Sequence, residues 1–216
     1  MFYCDRCYSC FRLPDSVPSH NMKALVLVAG GTEELEFAAA IDVLGCAGVK
    51  VDVASVMPEK RLTCKMARGI TITADHHITD PAVMEKNFDI IIVPGGIPGA
   101  SNCAMSDDLV KKLKHQKSRG GWYAAICAAP SLVFFDKGIV ESEKMVCYEY
   151  KDFTVFSDPL RASGNMSTSS DRVVIDGKCI TSVGPGSAME FALVIVECLL
   201  GKEKATEVAQ GMLIRL

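Results

Sequence analysis

The stretch Trp122-Tyr-Ala-Ala-Ile-Cys-Ala-Ala-Pro130 is an apolar run that stops at one cysteine, Cys127, and the residues after it predict a helix from Ser131 to Lys137. The pattern indicates a strand, a sharp turn and a helix, with Cys127 at the turn. This is the arrangement of a nucleophile elbow, in which a helix N-terminus offers free N–H groups to the projecting side chain. Such features lower the pKa of a thiol and can hold an oxyanion. The alternative is a buried structural thiol, which is common for free cysteine.

Composition limits the classes of protein to which the chain can belong. Its 216 residues are 49% hydrophobic and 23% charged, which fits one domain with a sizeable core. The formal net charge of -3 gives no support for nucleic acid as the main partner. No apolar run approaches the roughly 18 residues of a membrane span, and the N-terminus lacks the apolar centre of a secretory signal. We therefore expect a soluble, cytoplasmic protein without a membrane partner, and leave a mitochondrial or nuclear pool open.

Apolar runs without polar alternation alternate with helical patterns along the chain. Such runs are typical of strands that are buried on both faces of a parallel sheet. The predicted strands are Lys23 to Ala29, Lys50 to Val56, Phe88 to Val93 and Trp122 to Ile126, and the predicted helices are Glu34 to Ala47 after a Thr32 N-cap, Asp107 to Arg119, Ala188 to Leu200 and Lys202 to Met212. This alternation predicts an α/β fold in which a doubly wound, mostly parallel sheet is sandwiched by helices in a single domain.

Several shorter segments carry weaker signals. Hairpins are predicted at 62–73, through Arg68-Gly69, and at 173–182, around Asp176-Gly177. Further short strands are predicted at 144–148 and 153–156, followed by a polar loop at 161–172. Adjacent residues of extended chain point to opposite faces, so His76 and His77 would not converge on a metal and are predicted to lie on the surface. The lysines of the Asp107 to Arg119 helix are predicted to face solvent.

The first 21 residues form an N-terminal extension to a domain that covers residues 22–216. Cys4-x-x-Cys7 resembles half of a zinc site, and His20 is the one nearby candidate to complete it beside Cys10. A disordered leader is the favoured interpretation, so no metal is expected. The other seven cysteines are scattered through core segments, which is typical of reduced thiols in a reducing compartment.

Three signals are predicted to meet at the carboxyl edge of the sheet. They are the first helical turn with Glu36, the Gly95-Gly96 turn and Cys127. Ligands of open α/β sheets bind in that crevice. None of the four histidines lies beside a predicted strand end, so a carboxyl group is the remaining candidate to take the thiol proton. Glu36, if crowded against a thiolate in a dry pocket, would have a raised pKa and could donate a hydrogen bond; the alternative is that Glu36 only complements the helix dipole.

Four motifs in order make the chain resemble the parkinsonism-associated deglycase family, also known as glutathione-independent glyoxalases, of the ThiJ/PfpI superfamily. They are Ala29-Gly-Gly-Thr-Glu-Glu-Leu-Glu36, Val93-Pro-Gly-Gly96, Ala124-Ala-Ile-Cys-Ala-Ala-Pro130 and Thr181-Ser-Val-Gly-Pro-Gly186. The resemblance covers about residues 22–212. It implies a flavodoxin-like sandwich, a two-fold homodimer, and a cofactor-free glyoxalase or deglycase activity with a role in oxidative-stress protection.

The resemblance also implies roles for individual residues. Cys127 would be the nucleophile and Glu36 its proton-sharing partner, while Gly96 and Ala128 would give backbone N–H groups to the oxyanion. Tyr148 stands where several relatives have a histidine. Gly95, Tyr148, Arg68 and Pro185 are further candidates for the pocket. Histidine directly follows the cysteine in the protease branch of the superfamily, so Ala128 argues against protease activity.

The resemblance and the grouping of Cys127 with Glu36 leave two functions and one inert alternative. The first is an enzyme that acts on methylglyoxal, glyoxal or early glycation adducts through Cys127. The second is a redox-sensing stress chaperone in which Cys127 is oxidised to a sulfinate. The third is an α/β dimer with an inert cysteine. The first two use the same thiol, so the sequence does not separate them.

Overall fold

Nine strands form the sheets of the computed structural model, which describes residues 21–168 and 170–215. In chain order they are β1 (Lys23–Val28), β2 (Lys50–Ser55), β3 (Thr63–Lys65), β4 (Thr71–Thr73), β5 (His76–His77), β6 (Ile90–Val93), β7 (Trp122–Ile126), β8 (Val173–Asp176) and β9 (Cys179–Ser182). The main sheet has the order β5-β2-β1-β6-β7-β9-β8, and β8 alone in it is antiparallel to its neighbour. The small antiparallel sheet pairs β3 with β4.

Seven α-helices accompany these strands in the described residues, and the last two follow β9. They are α1 (Glu34–Cys46), α2 (Pro81–Met84), α3 (Gly99–Ala104), α4 (Asp107–Ser118), α5 (Ser157–Ser163), α6 (Ala188–Leu200) and α7 (Lys202–Gly211). The connections β1-α1-β2 and β6-α4-β7 run in opposite directions across the sheet, so right-handed crossovers place α1 and α4 on opposite faces. α6 packs beside α1, and α7 packs on α6. The result is a three-layer sandwich.

The apolar runs form central strands because both faces of the sheet are covered. All residues of 24–29 and of β6 are fully buried, which explains the absence of polar alternation. The parallel core order β2-β1-β6-β7-β9 is the flavodoxin-like order, and its direction reverses between β1 and β6. The predicted α/β sandwich and both predicted hairpins are therefore confirmed.

The predicted strands at 144–148 and 153–156 are wrong. Only isolated bridges occur there, between Met145 and Met166 and between Tyr150 and Phe153. The amide of Val146 donates to the Thr181 side chain at 3.0 Å instead of to a neighbouring strand. The predicted polar loop at 161–172 is also partly wrong, because the end of α5 occupies its first residues.

Two predictions of surface exposure are wrong as well. His77 is only 8% exposed, because it lies on β5 and its ring nitrogens contact Met57 O at 2.9 Å and Thr79 Oγ1 at 2.7 Å. Lys112 is 3% exposed on α4. Its Nζ donates to the carbonyl oxygens of Met84 and Lys86, so backbone acceptors replace water around this charge.

Residues 1–20 lie outside the described part of the chain, and with them the predicted disordered leader and the cysteines and histidine considered for zinc. Asn21, the last residue of the predicted extension, is exposed. Across residues 21–168 and 170–215, no helix has the length and apolar character needed to cross a membrane.

Candidate active site

Cys127 lies at a strained turn directly after β7. Its φ is 66°, in the left-handed region that non-glycine residues seldom adopt. Its N–H donates to Ser182 O at 2.9 Å, and its carbonyl accepts the Tyr148 N–H at 2.8 Å. The segment after it is a π-helical turn at Pro130–Phe135, not the predicted α-helix to Lys137. The thiol residue is 9% exposed, so the predicted elbow is present and nearly enclosed.

Glu36 reaches the same place from the first turn of α1 and is 1% exposed. Its own N–H donates to the side chain of Glu33 at 3.0 Å, so Glu33 caps the helix in place of the predicted Thr32. Its Oε2 accepts the Gly95 N–H at 2.7 Å. Its Oε1 is buried and has no hydrogen-bond partner within the described residues. One carboxylate oxygen is therefore fixed, and the other is left for a proton or a substrate.

Gly95 joins these two elements because it lacks a side chain. A Cβ at this position would lie 2.5 Å from the Cβ of Cys127 and 2.8 Å from Oε2 of Glu36. Gly96 follows with a φ of 86°, and a Cβ there would lie 2.4 Å from Gly31 O. The turn after β6 therefore lies against both the thiol residue and the carboxyl group.

Burial raises the pKa of Glu36 from 4.5 to about 7. The hydrogen bond from Gly95 opposes this rise in pKa, and the negative charge of Glu33 adds to it. A hydrogen-bond interaction with the Cys127 side chain also opposes the rise. Glu36 can therefore both accept and donate a proton near neutral pH, which is the range in which general acid–base catalysis is most effective.

The pKa of the Cys127 thiol is raised to about 12, mainly by burial and next by negative charge on Glu36. The N–H groups of Gly96 and Ala128 act in the opposite direction. The expectation of a lowered thiol pKa is therefore wrong for the resting site, because enclosure outweighs the elbow and its donors. Burial therefore favours the protonated thiol in the resting site, and Glu36 is the adjacent group that can take this proton.

The remaining predicted pocket residues differ in their relation to this pair. Tyr148 is half-buried, and its ring carbon would lie 3.2 Å from a Cβ built on Gly184, the residue before Pro185. The backbone N–H of Arg68 donates to Glu34 Oε1. Its guanidinium makes no hydrogen bond or ion pair to Cys127 or Glu36 in the part of the chain that the structure describes. Tyr148 and the Pro185 loop thus border the elbow, whereas Arg68 is held at the start of α1.

Sequence reasoning missed two contributions to the site. Glu33 both caps α1 and raises the pKa of Glu36; its signal was the spacing of three residues to Glu36, which fits a side chain that bonds the N3 amide. Ser182 fixes the elbow through its carbonyl oxygen, and no side-chain pattern signals such a contact. Among the described residues, no group of His, Cys, Asp or Glu side chains is suited to hold a metal ion.

Comparison with known proteins places this geometry in context. The chain is 40% identical to protein DJ-1 homolog B of Arabidopsis thaliana over 205 residues, which cover 95% of this chain and 44% of that protein. It is 39% identical to the glutathione-independent glyoxalase DJR-1.2 of Caenorhabditis elegans over 189 residues, which cover 87% of this chain and 94% of that protein. The chain spans about half the length of its two Arabidopsis relatives.

The fold matches a solved structure of oxidized DJ-1 from Toxoplasma gondii with a TM-score of 0.82 and 39% identity, covering 90% of this chain and 100% of that one. The sequence model of the DJ-1/PfpI family matches residues 22–198, which include Glu36, Gly95 and Cys127. The chain belongs to the DJ-1/PfpI family.

Proposed function

We propose that the protein is a cysteine-dependent, cofactor-free glyoxalase and deglycase that acts on methylglyoxal, glyoxal or early glycation adducts. The observation that carries this proposal is the pairing of an enclosed thiol with a carboxyl group whose pKa lies at about 7. The unpartnered Oε1 of Glu36 leaves one oxygen to move protons. The glyoxalase name of the C. elegans relative supports the same reaction class.

The reaction begins as Cys127 Sγ forms a bond to the aldehyde carbon. The thiol proton passes to Glu36, which then delivers it to the new alkoxide and gives a hemithioacetal. The backbone N–H groups of Gly96 and Ala128 stabilise negative charge while it develops.

Glu36 next removes the proton from the former aldehyde carbon and returns it to the neighbouring carbon, while the hydroxyl proton of the hemithioacetal passes to the neighbouring ketone oxygen. This step oxidises one carbon and reduces the other, so it needs no external oxidant. The product is a thioester of a 2-hydroxy acid. Water then breaks the carbon–sulfur bond, releases the hydroxy acid and restores the thiol. For methylglyoxal the product is lactate.

The test is lactate formation from methylglyoxal without glutathione. Cys127→Ala should abolish turnover. Glu36→Gln should lower kcat by at least about 100-fold, the usual contribution of a positioned acid–base group. Cys198→Ala, which removes a half-buried thiol on α6, is the matched control and should retain full turnover.

Circular dichroism and alkylation of Cys127 by iodoacetamide at alkaline pH would confirm that the Glu36→Gln variant is folded and keeps an accessible thiol. Wild-type turnover in that folded variant would remove Glu36 from the mechanism. Wild-type turnover in Cys127→Ala would overturn the proposed function.

The second candidate function is a redox-sensing stress chaperone, and the N–H groups of Gly96 and Ala128 near Cys127 favour it. A peroxide oxidises the thiol to a sulfenic acid, and a second peroxide oxidises that to a sulfinic acid, with release of water at each step. The two N–H groups and a protonated Glu36 would bond the sulfinate oxygens. Mass spectrometry should find two added oxygen atoms at Cys127 before any other described cysteine, and Glu36→Gln should change this selectivity.

We also propose a two-fold homodimer through α1. Leu35 is 63% exposed at the start of this helix, and Ala38 is exposed one turn later. A large apolar side chain beside a small residue permits close approach of a second helix. Ala39 and Ala40, the next two residues, are buried and face the core instead.

A further inference from the structure

Tyr148 borders the thiol through the backbone of the elbow. Its N–H donates to the carbonyl of Cys127 at 2.8 Å. Its ring lies against Gly184, at the head of the loop that contains Pro185. The ring is therefore fixed between the elbow and the loop that follows β9.

Phe153 extends this aromatic surface toward solvent. Its ring contacts that of Tyr148 edge to face, with centroids 6.1 Å apart, and Phe153 is 50% exposed. A tight turn holds it in place, because its N–H donates to Tyr150 O at 2.9 Å. An exposed phenylalanine fixed in this way has a ring edge and face that are free to contact a ligand.

Phe156 supports Phe153 from below. The two rings also pack edge to face, with centroids 5.6 Å apart, and Phe156 is only 8% exposed. The three rings therefore form one aromatic surface, in which exposure to solvent increases from Phe156 through Tyr148 to Phe153. Aromatic edges and faces are apolar, so these three rings favour a flat, aromatic group.

We propose that Tyr148 and Phe153 form a substrate subsite that selects 2-oxoaldehydes with an aromatic substituent. The inference rests on the proposed glyoxalase function and specifies its substrate class. Aromatic pairs prefer edge-to-face or offset stacking and gain stability beyond that of area burial alone. The small methyl group of methylglyoxal cannot make such contacts, whereas a phenyl group next to the ketone has the edge and face that they require.

The chemistry is the same internal transfer as in the proposed reaction. Phenylglyoxal would form a hemithioacetal at Cys127, and Glu36 would move the proton between the two carbons. Water would then release mandelate. The aldehyde carbon is oxidised and the ketone carbon is reduced, so atoms and electrons balance with water as the only co-reactant.

The test measures kcat/KM for phenylglyoxal, for methylglyoxal and for cyclohexylglyoxal, an aliphatic analogue of similar size. Wild type should prefer phenylglyoxal over both. Phe153→Ala should lower the phenylglyoxal-to-methylglyoxal ratio by about twofold to tenfold, the value of one aromatic contact. Phe153→Tyr keeps the ring and should keep the ratio. Val155→Ala, which truncates a neighbouring side chain that is 57% exposed, is the matched control and should leave the ratio unchanged.

The outcomes separate the two proposals. If wild type turns over none of the three compounds, the proposed function fails. If it turns over all of them and Phe153→Ala leaves the ratio unchanged, the subsite is refuted while the glyoxalase function stands. Equal wild-type rates for phenylglyoxal and cyclohexylglyoxal would refute aromatic selection. An equal fall in the ratio for Val155→Ala would also refute the role of Phe153, because it would show a general loosening of the segment.

Discussion

Replacing Glu36 by glutamine should change how the stability of the fold depends on pH. In the folded protein, burial raises the pKa of this carboxyl from 4.5 to about 7. The native state therefore binds a proton more tightly than the unfolded state does. The stability that Glu36 contributes is fully present below pH 4.5 and is lost as pH rises toward 7, because the carboxyl ionises in the unfolded state while burial keeps it protonated in the native state. Glutamine has a similar shape and does not ionise, so the variant lacks this loss.

The magnitude follows from the two pKa values. Their difference of about 2.5 corresponds to about 3.4 kcal/mol over the whole titration, at 1.36 kcal/mol for each pH unit. Between pH 5 and pH 8 the expected loss is about 2.5 kcal/mol, because part of the titration lies outside this window. Wild type should therefore lose about 2.5 kcal/mol relative to Glu36→Gln across that interval.

Urea unfolding at several pH values between 5 and 8 measures this difference. The other carboxyl groups are common to both proteins, so their contributions cancel when the two curves are subtracted. Glu203→Gln removes an exposed carboxyl at the start of α7 and should give a curve parallel to that of wild type. Parallel curves for wild type and Glu36→Gln would refute the raised pKa and, with it, the role of Glu36 as a proton carrier near neutral pH.

The remaining predictions concern rate, packing and assembly. Because the base form of Glu36 takes the thiol proton, kcat/KM should rise with pH around a midpoint of about 7; a flat profile between pH 6 and 8 would contradict this. Gly95→Ala places a Cβ 2.8 Å from Glu36 Oε2 and should lose turnover and about 1–3 kcal/mol of stability in urea unfolding. Gly45→Ala, with no atom within 4 Å of the added Cβ, should retain both. Leu35→Asp should give a monomer in light scattering, whereas Ile175→Asp, at a side chain that is 49% exposed on β8, should leave the dimer intact; a wild-type monomer would refute the dimer.

The central strands and the elbow could be predicted because their signals are local. An apolar run such as Ile90–Val93 has few alternatives to a strand covered on both faces. The Cys127 turn was readable because an apolar strand stops there and a helical pattern follows. The same reasoning is wrong at 144–148, where the apolar residues lie in a loop. There the side-chain oxygen of Thr181 accepts the hydrogen bond that a neighbouring strand would accept.

Features that depend on distant contacts could not be read from local pattern. The sequence predicts a solvent-facing Lys112 because nothing near it in the chain indicates a partner. The carbonyl oxygen that accepts from its Nζ lies 26 residues earlier in the chain. The pKa of the Cys127 thiol was misjudged for the same reason: the elbow is local, but its enclosure by Glu36 and the Gly95 turn is tertiary. The motif therefore makes Cys127 the candidate nucleophile, while burial raises the pKa of its thiol instead of lowering it.

The strained turn at Cys127 and the buried carboxyl of Glu36 lower the free energy of unfolding, and burial of the sheet offsets this loss. A residue held in an unfavourable backbone conformation, like Cys127 at a φ of 66°, costs on the order of 1–3 kcal/mol, and the ionised Glu36 adds about 3 kcal/mol above neutral pH. Together these are a large part of the net stability of an ordinary domain, about 5–15 kcal/mol. β6 is fully buried and β1 is buried from Ala24 onward, and the ends of these strands lead into Gly95 and α1. Burial there stabilises the fold, and the same burial raises the pKa of Glu36 into the range where it can carry protons.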